Sequence, residues 1–377
     1  MDHPPETTSL LETTSLLHHF AALKDPRQRV KVVYPLPEIL LLVLCATIVG
    51  AEDFVEITHW GETHMDFLRR FLPYKDGVPS HDALNDLINA LNPKLFSECF
   101  IRWVSGLRDD DPDIVAIDGK ASRRAHAKSK GRQPLHMVSA WASRQRLVLG
   151  QEATDVKSNE ITAIPLLLQR LELKGALVTI DAMGCQTKIA ATILERGADF
   201  LLAVKDNQPS LHDDIKRYFD DAPAEELETF ETIDADHGRI ETRRHVVSHS
   251  VDWLAEDSRF PGIKTIAMVE NTFEHNGKTS CERRYYISSA VLLAVIFANA
   301  VRCHWHIENR LHWVLDVIFH EDYSRLRTGH GPHNMGVIRH MAMNLLRSDK
   351  PGKSLKVRRK VAGWNPDYLQ AILRGQA

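Results

Sequence analysis

Apolar residues recur at helical spacing in the N-terminal part of the chain, between residues 10 and 107. The clearest cases are residues 36–50 and 81–91, and turn signals at residues 78–80 and at Asn92-Pro93 separate successive helices. Three consecutive aspartates and Pro112 then end the helical pattern. We therefore predict a small helical N-terminal domain over residues 1–110.

Beyond residue 112 the apolar positions form short runs of the length that buried strands have. The first run ends in Asp118, the next two lie close enough to form an antiparallel pair, and two later runs alternate with helical stretches. The predicted strands are 113–118, 136–142, 146–150, 176–181 and 199–204, with helices at 158–173 and 186–196. Because three meandering strands precede alternating helices and strands, the pattern predicts an α/β fold with a mixed sheet.

The stretch between residues 205 and 286 departs from this alternation. An acidic segment is followed there by runs of alternating polar and apolar residues, which predict a β-rich insertion over about residues 206–286. Helical spacing returns in a long helix from about residue 290 to 319 and in another at 333–347. We therefore expect the α/β domain to cover residues 111–350, followed by a basic C-terminal tail at 351–377.

Composition excludes several classes of protein. With 377 residues, of which 44% are hydrophobic and 26% charged, the chain is neither intrinsically disordered nor a small disulfide-stapled protein. Its five cysteines are scattered and odd in number, which is typical of a reducing compartment. The longest apolar run, residues 39–51, is too short to cross a bilayer, and the N-terminus lacks a basic signal-peptide region. We expect a cytoplasmic protein with no membrane partner.

Basic residues are concentrated in two segments. Residues 119–146 contain eight Lys or Arg and no Asp or Glu, and residues 301–377 contain 13 Lys or Arg against six acids. Because the net charge is only −3, the rest of the chain is strongly acidic. Two basic segments of this kind would suit a surface that binds a polyanion, although ordinary solvated surface explains them equally well.

Two aspartates end strongly apolar predicted strands. Asp118 ends the first strand and Asp181 the fourth, and in a mixed sheet functional sites form at strand ends. Two such carboxylates on neighbouring strands would repel each other unless a cation lay between them, and oxygen ligands suit Mg²⁺ or Mn²⁺. The alternative is that each aspartate only ends its strand or caps the next helix.

A third carboxylate, Glu308, lies in the predicted long helix. His304 and His312 are four residues before and after it, so the three side chains share one helix face, while Trp305 and Trp313 are expected to pack in the core. A zinc site formed by the two histidines and Glu308 is a weaker alternative, because the spacing matches no recognised zinc motif. An ordinary structural helix also remains open.

The order of these elements resembles the ribonuclease H-like core of DDE transposases. More closely, the chain resembles the insertion-sequence transposases that include the H-repeat-associated proteins. The matching motifs run in family order over nearly the full length: DPRQ at Asp25, VPSHDAL at Val78, AIDGK at Ala116, TIDAMGCQ at Thr179, LLAVKDNQPSL at Leu201, HGRIETRR at His237, RYYISS at Arg284, HWHIENRLHWVLDVIFHED at His304 and IRHMAMNLLR at Ile338.

The resemblance implies that Asp118, Asp181 and Glu308 are the catalytic residues and the ligands of Mg²⁺ (or Mn²⁺). It further implies cleavage of double-stranded DNA at the ends of a mobile element, transfer of those ends to target DNA, and a bacterial cytoplasmic protein that forms a homodimer on the DNA. One departure stands out. Related transposases have Tyr, Arg and Lys around the glutamate, where this chain has Val301, His304 and Leu315.

Candidate DNA-binding residues follow from charge and position. They are Lys120, Arg123, Arg124 and Lys128, directly after Asp118, and His304, Arg302 or Arg310 beside Glu308. Two other functions stay open: a non-catalytic DNA-binding relative, and a ribonuclease H-like nuclease that cuts DNA without joining it. Inverted repeats flanking the coding sequence would favour a mobile element over both.

Overall fold

The computed structural model describes residues 15–121, 135–154, 160–236, 239–255, 259–275, 278–348 and 352–375. Six α-helices form the N-terminal layer of this part of the chain, and three of them begin at side-chain caps supplied by Asp53, Ser80 and Asn92. The second helix lies at the centre of the layer, because 12 of its 14 residues are buried. The helices are α1 (Ser15–Ala21), α2 (Leu36–Val49), α3 (Phe54–Thr63), α4 (Met65–Leu68), α5 (His81–Ala90) and α6 (Pro93–Ser105).

Nine strands of the described chain form one mixed sheet. They are β1 (Ile114–Ala121), β2 (His136–Ala142), β3 (Leu147–Thr154), β4 (Leu177–Ile180), β5 (Asp199–Val204), β6 (Glu228–Asp236), β7 (Arg239–Ser248), β8 (Thr265–His275) and β9 (Lys278–Ser288). Their spatial order is β3-β2-β1-β4-β5-β9-β8-β7-β6. The strands β1, β4 and β5 are parallel, and β2, β3 and β9 run antiparallel to their neighbours. This arrangement confirms the predicted ribonuclease H-like α/β class.

The insertion between β5 and the following helix is β-rich, in agreement with the sequence pattern. Its last strand, β9, pairs with β5, with Leu201 opposite Ser288 and Val204 opposite Tyr285. The insertion therefore extends the central sheet. It also contains α9 (Pro209–Asp221) and α10 (Asp252–Ala255), while α7 (Glu160–Arg170) and α8 (Thr187–Glu195) connect the earlier strands.

The predicted long helix is present and is interrupted by a wider turn. It consists of α11 (Ala294–His306), a π-helical turn (Ile307–His312) and α12 (Trp313–Val317). The chain then forms α13 (Gly331–Arg347), α14 (Leu355–Trp364) and α15 (Pro366–Leu373). In the described part of the chain, no helix is long and apolar enough to span a membrane.

The larger of two apolar clusters among the described residues joins the N-terminal helices, the sheet and the C-terminal helices. Helix α13 lies at its centre, with 14 of 17 residues buried. The Asn334 side chain donates to the carbonyls of Ile88 and Leu91, and the Asn344 amide binds both the N–H and the carbonyl of Val148, at 2.9 Å each. The N-terminal helices are thus packed on the sheet through α13 rather than set apart from it.

The C-terminal segment, expected to be a basic tail, instead folds over its described residues. Its two helices contact α2 and α13, since Leu369, Ile372 and Leu373 are buried in the common core. The Arg359 guanidinium donates to the carbonyls of Thr47 and Ile48 at the end of α2. Leu369, Ile372, Leu373 and Arg359 thus attach this short segment to the rest of the fold. The prediction of a tail relied on the local excess of basic residues, which does not indicate such packing.

Candidate active site

Asp118 and Asp181 occupy equivalent positions on two neighbouring parallel strands. Ile117 in β1 is in register with Ile180 in β4, so the next residue on each strand places the two aspartates side by side. Strand β1 continues three residues past Asp118, because residues up to Ala121 pair with β2, and the predicted end of the strand was therefore too early. Asp181 directly follows β4, as expected.

The environment of Asp118 disfavours a lone negative charge. Burial raises the pKa of Asp118 to about 7, and the carboxylates of Asp181, Glu160 and Glu308 act in the same direction. The Asp118 Oδ2 atom lies 3.4 Å from Nδ1 of His312. A carboxyl group surrounded by others of like charge is an arrangement that a bound cation would stabilise.

Asp181 also has the capping role that its sequence position allows. Its Oδ1 accepts hydrogen bonds from the N–H groups of Met183 and Gly184, at 3.1 and 3.3 Å, at the start of a short 3₁₀ turn. These two bonds fix the orientation of the carboxylate. The capping role of Asp181 is therefore observed, and its role as a metal ligand stays a prediction.

Glu308 lies in the π-helical turn, where the Trp313 N–H bonds to the Glu308 carbonyl. Single π turns inside α-helices occur frequently at functional sites. Burial and the charge of Asp181 raise the pKa of Glu308, and the charge of Arg284 lowers it. Glu308 and Asp181 line the same cavity of about 290 Å³.

The two histidines that flank Glu308 bind different strands. Nδ1 of His304 lies 3.0 Å from Thr179 Oγ1 on β4, whereas His312 approaches Asp118 on β1. Burial lowers the pKa of His304, and it lowers the pKa of His312 to about 3. Both rings are therefore neutral near pH 7. Because the two rings bind different strands, the structure does not support the zinc alternative. Within the described residues, no three His, Cys, Asp or Glu side chains are grouped as a metal site.

The tryptophans on this helix do not pack in the core, contrary to the sequence-based expectation. Trp305 is 43% exposed and Trp313 is 54% exposed. The buried side of the helix is formed by Cys303, Ile307 and Leu311. Because the histidines also turn toward the sheet, the two indoles are left on the solvent side.

The basic candidates separate into three groups. Lys120 is 10% exposed, and its Nζ lies 2.7 Å from Asp316, 3.1 Å from Glu321 and 3.4 Å from Asp322, so its charge is directed into the protein. Arg302 and Arg310 line a larger groove beside the site. The remaining three, Arg123, Arg124 and Lys128, lie outside the described residues.

Several residues that sequence reasoning did not select contribute to the acidic cavity. Lys205 follows β5, and Arg284 and Tyr286 lie on β9; all three line the cavity with Asp181 and Glu308. The only sequence signal was their presence in the motifs that begin at Leu201 and Arg284.

A larger groove adjoins this cavity. It has a volume of about 830 Å³, lies between the insertion strands and α11, and shares Arg284, Tyr286, Val301 and Trp305 with the acidic cavity. Its charged lining consists of four arginines, Arg243, Arg284, Arg302 and Arg310, and one acid, Glu241. A cationic groove with exposed aromatic rings that leads to carboxylates is suited to a nucleic-acid strand.

The donor set fits a hard divalent cation. All three predicted ligands are carboxylates, and Mg²⁺ is commonly held by one or two carboxylates together with substrate phosphates. Among the described residues no three His, Cys, Asp or Glu side chains lie close enough together to hold an ion by themselves, so phosphate oxygens of the substrate would have to complete the site. The residues that would hold the ion are Asp118, Asp181 and Glu308.

Comparison with known proteins relates the whole chain to one family. The family model described as "Transposase DDE domain" matches residues 109–345, and "DDE_Tnp_1-associated" matches residues 17–104. The H repeat-associated putative transposase YhhI of Escherichia coli K12 is 40% identical over 377 residues, covering 97% of this chain and 99% of YhhI. The putative transposase YncI of Escherichia coli O157:H7 is 39% identical over 370 residues, covering 95% and 94%.

A solved structure of a piggyBac transposase synaptic complex with hairpin DNA overlays with a TM-score of 0.39 and 11% identity, covering 97% of this chain and 80% of that one. This overlay is too loose to relate individual residues. The family model and the relatives, which extend over nearly the full length, confirm the resemblance inferred from the motifs. The chain belongs to the DDE transposase family, in the group that includes the H-repeat-associated proteins.

Proposed function

We propose that this chain is a metal-dependent DNA transposase of an insertion sequence, which binds the element ends and catalyses DNA strand cleavage and strand transfer in the bacterial cytoplasm. The observation that carries the proposal is that strands β1 and β4 place Asp118 beside Asp181, and that Asp181 shares with Glu308 a cavity next to an arginine-lined groove. Double-stranded DNA is the expected partner, and synapsis of two element ends would require a homodimer.

The three carboxylates would act together. When bound to them and to DNA phosphate oxygens, Mg²⁺ or Mn²⁺ supplies Lewis acidity for an in-line displacement at phosphorus. Asp181 is held in a fixed orientation by two backbone N–H groups, and Asp118 is held between β4 and His312. These contacts keep the ligands in place before DNA arrives, as preorganised catalysis requires.

The groove would direct a DNA strand to the carboxylates. Its arginines can neutralise backbone phosphates, and Trp305 presents an exposed ring at the junction of the groove and the acidic cavity. Binding should therefore weaken steeply as the salt concentration rises, because counterions are released from the DNA.

The test is strand nicking of a labelled duplex that carries the end of the encoding element, in Mg²⁺, in Mn²⁺ and in EDTA. Asp118→Ala, Asp181→Ala and Glu308→Ala should each abolish nicking and leave DNA binding largely intact. Asp86→Asn, which removes an exposed carboxylate from α5, is the matched control and should nick normally. Nicking that persists in Asp118→Ala would contradict the assignment of the site.

Two further outcomes separate the alternatives. Addition of a supercoiled target plasmid should yield joined products from a transposase, whereas a nuclease would leave only cut ends. Binding of the element end with no nicking under either metal would indicate a DNA-binding relative that has lost its chemistry. Inverted repeats around the coding sequence would support the transposase independently of any enzymatic assay.

A further inference from the structure

The helix that carries Glu308 presents few cations to the acidic cavity. His304 is neutral and bound to Thr179, and Leu315 is buried in the core. Arg302 is mostly exposed and lies 3.8 Å from Asp234 on β6, on the side of the larger groove. Hence the positive charges that face Asp181 and Glu308 come from other elements.

Two cations reach the cavity from adjacent strands of the extended sheet. Lys205 directly follows β5, and Arg284 lies on β9, where its neighbour Tyr285 is opposite Val204. Both side chains line the cavity that contains Asp181 and Glu308. Because β9 belongs to the insertion, the insertion contributes a side chain directly to the predicted catalytic cavity.

Arg284 is held in a defined orientation at the junction of the cavity and the groove. Its Nε and Nη2 atoms donate to the two carboxylate oxygens of Glu282 at 2.9 and 3.2 Å, and its guanidinium carbon lies 5.8 Å from the centre of the Trp305 ring. A guanidinium that is already oriented loses less conformational freedom when it binds a phosphate.

The preceding residue on β9 provides an internal comparison. Successive side chains of a strand point to opposite faces of the sheet. Arg283 accordingly faces away from the cavity, and it donates to Glu270 at 2.6 Å and to Asp220 at 2.7 Å. The two neighbouring arginines thus differ in the face that they occupy.

We propose that Arg284, together with Lys205, binds a backbone phosphate of the DNA strand beside the scissile position. This inference rests on the proposed function, since it names residues that bind the substrate of that reaction. The recognised group is a phosphodiester oxygen, which suits the Nη1 donors of Arg284, on the amino group that does not bind Glu282, and the point charge of Lys205.

The experiment compares Arg284→Met, Arg284→Lys and Lys205→Met with the control Arg283→Met. Single-turnover nicking is measured at saturating protein in Mn²⁺. We expect Arg284→Met to nick about 10- to 100-fold more slowly, as the loss of charge-assisted hydrogen bonds predicts, with partial recovery in Arg284→Lys. Arg283→Met should remain within about twofold of the wild type. Equal rates in Arg284→Met and Arg283→Met would overturn the proposal.

A set of duplexes that each carry one neutral methylphosphonate identifies the phosphate. At one position the methylphosphonate should slow nicking by the wild type and leave the nicking rate of Arg284→Met unchanged, because that variant has already lost the contact. A simple structural defect would not produce this position-specific loss of sensitivity. Equal sensitivity of both proteins at every position would overturn the proposal.

Binding of the same duplexes, measured by fluorescence anisotropy in EDTA, separates this inference from the proposed function. If the wild type binds and never nicks, the proposed chemistry fails. The phosphate contact is then decided by binding alone. A methylphosphonate that weakens wild-type binding and leaves Arg284→Met binding unchanged would support the contact. If no position in the duplex behaves in this way, the contact is refuted.

Discussion

Replacement of Lys120 by methionine tests whether this residue acts inside the protein or on DNA. Its ammonium group bridges Asp316, Glu321 and Asp322, and Glu321 also lies 3.4 Å from the guanidinium of Arg339. Removal of one partner of a buried ion pair costs about 3–5 kcal/mol. Because Arg339 remains, we expect about 3 kcal/mol. For 377 residues that unfold together, this corresponds to a fall of about 4 °C in Tm.

The pKa of Glu321 determines how the effect of Lys120→Met on stability changes with pH. Burial alone would raise the pKa of Glu321, but the charges of Lys120 and Arg339 hold it below the ordinary value of 4.5. The ion pair therefore stabilises the folded state above about pH 4.5 and loses this effect as the pH falls. In Lys120→Met the deficit in Tm should be full at pH 7 and should shrink as the pH falls below about 4.5.

Differential scanning fluorimetry at several pH values measures this effect, with Lys188→Met, which removes an exposed lysine from α8, as the control. DNA binding of the same proteins is compared at fixed salt. An unchanged Tm in Lys120→Met together with weaker DNA binding would refute the internal role and restore the sequence-based prediction that Lys120 contacts phosphate.

Three other substitutions test the site and its support. Asp118→Asn should raise the free energy of unfolding at pH 8 in EDTA by on the order of 4 kcal/mol, because a carboxyl with a folded pKa of about 7 and an ordinary value of 3.8 destabilises the fold as it ionises. The two proteins should be nearly equal in stability at pH 4, and no gain at pH 8 would contradict this. Gly119→Ala should lower the free energy of unfolding by about 1–3 kcal/mol, since the new Cβ would collide with the buried Glu160 carboxylate and His136 ring. An unchanged midpoint of urea unfolding would contradict this and show that the pair can move aside. Asn344→Ala should cost about 2–3 kcal/mol by leaving a buried N–H and carbonyl of β3 unpaired, and a loss below 0.5 kcal/mol by urea unfolding would contradict the described contact.

The central strands could be predicted because their local pattern and their position in the fold agree. Strands β1 and β4 are buried on both sides, so they appear as continuous apolar runs in the sequence. The extension of β1 past Asp118 could not be predicted in the same way. Gly119 and Lys120 are not apolar, and they join the strand because they pair with Val138 and Met137 on β2, a contact that a local pattern does not contain.

The Glu308 helix shows where a hydrophobic pattern gives a wrong orientation. Its spacing correctly indicated that His304 and Glu308 lie on the same side, since both line the acidic cavity, whereas His312 approaches Asp118. The pattern also placed Trp305 and Trp313 in the core, although both are exposed. Buried polar residues and exposed aromatic residues break the rule of apolar burial, and such local conflicts are expected at functional sites.

The relative position of Asp118 and Glu308 depends on contacts outside the cavity. Like-charged carboxylates repel each other without a cation, so their spacing must be held by other groups. Lys120 is two residues after Asp118, Asp316 is eight residues after Glu308, and their 2.7 Å ion pair joins strand β1 to helix α12. The same lysine contacts Glu321, which also binds Arg339 on α13.

This connection reaches the N-terminal layer. Helix α13 packs on α2 and α5 and is hydrogen-bonded through Asn334 to the end of α5. A cation that faces inward next to Asp118 therefore serves the site by tying the strand of one carboxylate to the helix of another, and both to the helical layer. On this reasoning Lys120→Arg, which keeps the charge and changes the shape, should retain most of the stability and lose more of the nicking rate. An equal loss of stability and of nicking rate would indicate that Lys120 stabilises the fold as a whole and has no specific effect on the site.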